Sequence, residues 1–83
     1  MDLILVTWKD ITGCDGSWMS LDEAQEMYPG PMETVGWLLK ETPEYIVVAS
    51  SRDTEEDTVG SVTAIPKSVI VNIKRILRDL EGS

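Results

Sequence analysis

The sequence predicts a mainly β domain of five short strands, with one short helix in its first long loop. Three observations carry this. Runs of aliphatic and β-branched residues, such as Leu3-Ile-Leu-Val-Thr-Trp8 and Tyr45-Ile-Val-Val-Ala49, recur along the chain. Turn-forming clusters separate them: Gly13 with Gly16, Pro29-Gly30-Pro31, Thr42-Pro43, and the acidic stretch from Arg52 to Thr58. A single segment, Ser20-Leu-Asp-Glu23, carries a helix-start signature.

The first strand is predicted over Leu3 to Asp10, with Ile4, Val6 and Trp8 on one face and Leu3, Leu5 and Thr7 on the other. Apolar side chains on both faces imply cover from two sides. A loop from Ile11 to Ser17 follows, because its glycines tolerate positive φ and Asp15 can bond its own backbone. The capping box at Ser20 and Glu23 then opens a helix from Leu21 to about Met27, which Pro29-Gly-Pro31 must end. Ser20 is worth about 1 kcal/mol to that helix as its N-cap.

Glu33 to Lys40 and Tyr45 to Ser50 read as a second and third strand joined in an antiparallel hairpin. Val59 to Ile65 returns as a fourth, and Pro66 stops it because it has no amide for the ladder. The last segment has two readings. Val69, Ile70, Ile73, Ile76, Leu77 and Leu80 keep helical spacing, yet Val69-Ile-Val-Asn-Ile73 is rich in β-branched residues. The expectation is a fifth strand from Val69 to Lys74 passing into a helical turn through Leu80, with one amphipathic C-terminal helix as the alternative. Gly36, between Val35 and Trp37, marks a strand bend or a close backbone approach. Trp8 and Trp37 are expected in the core.

Composition narrows the function. A net charge of −8 and a pI near 4.2 oppose broad nucleic-acid binding, which relies on Lys and Arg neutralising phosphates. The charge is uneven: residues 1–66 hold three basic and thirteen acidic side chains, and residues 67–83 hold four basic and two acidic ones. No apolar run approaches the roughly 18 residues of a membrane span, and Met1-Asp-Leu-Ile4 lacks a basic leader region, so a cytosolic protein is expected. The lone Cys14 cannot form an intramolecular disulfide.

Strand, loop with helix, three-strand meander, Pro-containing turn and last short strand is the order of small SH3-like and Sm-like barrels. The pattern Trp8-x-Asp10, Asp15-Gly-x-Trp18, Thr34-Val-Gly-Trp-Leu38 and Ile65-Pro-Lys67 with a following aliphatic pair resembles a family of short proteins encoded by tailed bacteriophages and prophages. The resemblance spans roughly Leu3 to Ile73. It implies a five-stranded small barrel, a phage origin and a host cytoplasm as the working compartment, and it carries no settled activity.

The sequence contains no histidine, so Ser-His and Cys-His catalysis and histidine-bearing zinc sites have no ligands to build on. Asp10 and Asp15 beside Cys14 raise a thiol pKa, which opposes a nucleophilic role. The faint calcium-loop pattern beginning at Asp10 has Asp15 where a glycine is required. No enzyme, cofactor or metal is therefore expected. Binding residues are sought instead in the loop from Gly13 to Trp18, where Asp15 and Trp18 would meet a partner.

The leading expectation is a non-enzymatic phage accessory protein, an oligomeric binding module acting on a host protein or small host molecule. One alternative is capture of a small anion such as a signalling nucleotide, with Trp18 stacking and Arg52, Lys67, Arg75 or Arg78 on phosphates. Another is a virion head or tail component. A homo-oligomer is expected because Leu3 with Ile4, Ile46 with Val47, and Val69 with Ile70 leave apolar side chains on both strand faces.

Overall fold

The computed structural model describes residues 1–11 and 18–77. The elements are β1 (Leu3–Asp10), α1 (Leu21–Gln25), β2 (Gly30–Glu41), β3 (Tyr45–Asp53), β4 (Thr58–Pro66), a 3₁₀ turn (Lys67–Val69) and β5 (Ile70–Leu77). All five strands lie in one antiparallel sheet with the order β4-β3-β2-β1-β5. The fold is mainly β, as the residue pattern predicts.

β2 holds the sheet together by serving two neighbours in turn. Its first part, Gly30 to Trp37, pairs with β1, and its last part, Trp37 to Glu41, pairs with β3. The changeover falls beside Gly36, which is buried. A Cβ there would stand 2.7 Å from the Ala49 carbonyl oxygen on β3. Only glycine permits that approach, which explains its place between two large side chains. Leu39 is an extra residue on β2 opposite β3, and such a bulge adds local bend and twist.

The core is small. Ile4 and Val6 from β1, Ile46 and Val48 from β3, and Ile65 from β4 form one buried cluster, with Trp8, Leu38, Val69 and Ile70 packed against it. The cluster draws on β1, β3 and β4, and β2 lies between β1 and β3 in the sheet. The 3₁₀ turn lies against both β1 and β3, and its first amide, Lys67 N–H, donates to the Glu44 carbonyl at 2.8 Å.

Trp8 and Trp37 are half-buried rather than enclosed. The Trp8 indole N–H donates to the Thr34 hydroxyl at 2.9 Å, so its polar edge is satisfied where its ring packs on the core. Trp37 instead carries the Arg52 guanidinium, 5.9 Å from its ring centre.

Turn chemistry follows the sequence. The Thr42 hydroxyl accepts from the Glu44 and Tyr45 amides and closes the β2–β3 connection. One Asp53 carboxylate oxygen accepts from the Glu55 and Glu56 amides, and Asp57 takes a left-handed φ of 56° before β4 begins. Asp tolerates this conformation better than most side chains.

Two expectations change. β2 begins at Gly30, three residues before the predicted Glu33, since Pro31 sits at a strand position opposite Lys9. The predicted helical turn after Lys74 is strand as far as Leu77, and the alternative C-terminal helix is overturned with it; residues 78–80 lie outside the described residues. The reason is two bulges. Val71 and Ile76 are extra residues opposite β1, which breaks strict alternation along the strand and imitates a three-to-four-residue repeat.

Helix α1 starts at Ser20, whose hydroxyl accepts from the Glu23 amide at 3.1 Å. It ends at Gln25, before the predicted Met27, and buries no residue. Ser20→Ala is accordingly expected to remove about 1 kcal/mol locally. Faster hydrogen exchange at the Glu23 amide would report it, while the global melting temperature stays nearly constant because α1 contributes nothing to the core.

Candidate binding surface

β1 ends where the Asp10 carboxylate accepts from the Ile11 amide at 2.9 Å, a local bond that turns the chain and leaves Ile11 90% exposed. On the other side of this point, the helix ends at Gln25 and the chain returns as β2 from Gly30, paired with Asp10, which places Met27 and Tyr28 beside the end of β1. The 3₁₀ turn then delivers Val69, Ile70 and Val71 to the same place. These three segments enclose an open groove of about 610 Å³ with Lys9 and Asp10 at its margin.

The groove is apolar on surfaces that water reaches. Tyr28 is 69% exposed and Val71 60%. A shallower recess adjoins it through Met27 and Tyr28 and adds Glu26. Trp18, upstream of the helix cap, is fully exposed.

The described candidate cations, Arg52, Lys67 and Arg75, sit elsewhere and are engaged. Arg52 stacks on Trp37. Lys67 Nζ lies 2.8 Å from Glu41 Oε2, and Arg75 Nε lies 2.6 Å from Asp2 Oδ2. Glu41 and Arg75 line one small cleft with Ile4, Leu38, Ile46 and Ile73. Both ion pairs are partly exposed, so each contributes about 0–1 kcal/mol to stability. Arg75 thus lines this cleft directly and Lys67 adjoins it through Glu41, and no described contact joins them to Trp18 or Arg52. Asp15, Cys14 and Arg78 lie outside the described residues.

Ile11, Tyr28 and Val71 were not legible as contact residues from local pattern. Each reads as an ordinary strand or loop side chain until the fold brings the three segments together. The one local signal is Tyr28 itself, a large aromatic held just ahead of Pro29-Gly-Pro31, where no regular element covers it.

Among the described residues, no helix is long and apolar enough to cross a membrane. Comparison of the chain with family models, curated proteins and solved structures found no match.

Proposed function

We propose that the chain is a non-enzymatic binding module, a phage accessory protein that engages a host protein in the host cytoplasm and is built as a small SH3-like barrel. The barrel reading is supported by the division of β2 at Gly36 and by the meeting of β1, β3 and β4 in one core. Phage origin and compartment rest on the resemblance in residues 3–73.

The observation that carries the binding role is the groove, whose exposed Ile11, Tyr28 and Val71 give it an apolar floor and rim. An open groove with apolar walls and a few polar groups at its margin is the usual form of a binding site. Asp10, Glu26 and the overall charge of −8 favour a partner segment that carries apolar and basic side chains.

Tagged wild-type protein and an Ile11→Asp/Tyr28→Ser variant, expressed side by side in host cells, test this. Quantitative mass spectrometry is expected to show a host protein enriched with the wild type and reduced at least tenfold with the variant. Identical co-purifying sets would refute the groove as the contact surface.

A further inference from the structure

Among the described residues, the sheet order leaves two free edges, β4 and β5. Natural edge strands are normally guarded by charges, prolines or covering segments, because unpaired amides and carbonyls invite another strand. β4 lacks the first guard along its length: Thr58 to Ile65 contains no charged residue, and Val59 and Val62 are 40% and 52% exposed. Pro66 stands only at its end. Ser61, with a left-handed φ of 53°, interrupts the regular strand at one position, and Val62 to Ile65 continues beyond it in register with β3.

The other edge is its counterpart in charge. β5 exposes Val71, Ile73, Ile76 and Leu77 and carries Lys74, which makes no ion pair among the described residues. At the start of β4 stands the acidic tip, where Glu55, Glu56 and Asp57 have no cationic partner among the described residues. From these edges we propose that β4 of one copy pairs with β5 of the next, in a head-to-tail assembly of this chain. The antiparallel orientation sets the cationic C-terminal half of β5 alongside the acidic start of β4. The parallel one would turn it toward Pro66. Pairing β5 with β5 or β4 with β4 would leave the acidic tip and Lys74 without each other. A contact between unlike edges propagates until a ring closes or a filament grows.

The inference is independent of the groove, since the groove variant leaves β4 and β5 intact and the variants below leave Ile11 and Tyr28 intact. Three forms of the full chain decide it by light scattering after size exclusion: wild type, Val62→Lys, which blocks β4, and Lys74→Glu/Ile76→Glu, which blocks β5. Wild type is expected above the single-chain mass of 9.2 kDa. Each variant alone is expected at the single-chain mass with a cooperative melt. Their equimolar mixture is expected at twice that mass, because one good edge of each kind remains. A Glu55→Lys/Glu56→Lys form, altered only in the exposed tip, is expected to dissociate at least tenfold more readily and to be restored by mixing with Lys74→Glu. Wild type at 9.2 kDa at tens of micromolar, or variants that stay single in the mixture, would overturn the proposal.

Discussion

Gly36→Ala is expected to lower the melting temperature by about 10–20 °C, from an overpacking cost of about 2–3 kcal/mol and the usual shift per kcal/mol for a domain of this size. The added methyl carbon would meet the Ala49 carbonyl oxygen at 2.7 Å, and neither atom belongs to a flexible side chain that could move aside. Relief requires β2 and β3 to separate where β2 changes neighbours, which opens the core formed by Ile4, Val6, Ile46 and Val48. Gly60→Ala is the control. Its new carbon would meet only the Ser51 Cβ, at an ordinary 3.7 Å, so its effect is expected to stay within about 1 kcal/mol and to include the entropy gain of removing a glycine from the unfolded chain. Thermal unfolding of the two variants side by side checks the pair. Equal melting temperatures would show that the close approach at Gly36 does not exist.

Ile46→Ala is expected to cost about 2–5 kcal/mol, the range for removing a buried aliphatic side chain. Ile46 is fully buried, and only six hydrophobic residues among the described ones are buried. Against a total stability of about 4–12 kcal/mol for 83 residues, that loss leaves a marginal or unfolded protein. Ile65→Val, which keeps the shape and removes one methyl group, is expected to cost about 0.5–1.5 kcal/mol. Denaturant unfolding would rank the two, and a cost for Ile46→Ala below that for Ile65→Val would place the core elsewhere.

How far the sequence reaches depends on whether the determinant is local. β1, β3 and β4 were legible because alternating side chains and flanking turn residues lie within a few positions of one another. The Ser20 cap and the Asp53 tip were legible for the same reason. Gly36 announced a close approach, but its neighbour Ala49 lies thirteen positions away and is fixed only by the β2–β3 register. β5 was blurred by the bulges at Val71 and Ile76, which disturb the alternation that identifies a strand. The groove was invisible because Ile11, Tyr28 and Val71 come from three separated segments. Trp18 stood out in sequence because it falls between a glycine-containing loop and a helix cap, where no strand would enclose it.

The exposed aromatics offered to a partner do not support the fold. Thermal unfolding of a Trp18→Ala/Tyr28→Ala variant tests this most directly. Both rings face solvent, Trp18 completely, so their removal is expected to change stability by no more than about 0.5 kcal/mol, as for surface substitutions in general. A loss above about 2 kcal/mol, the scale of a core deletion, would contradict it and make these aromatics supports of the domain rather than its contact surface.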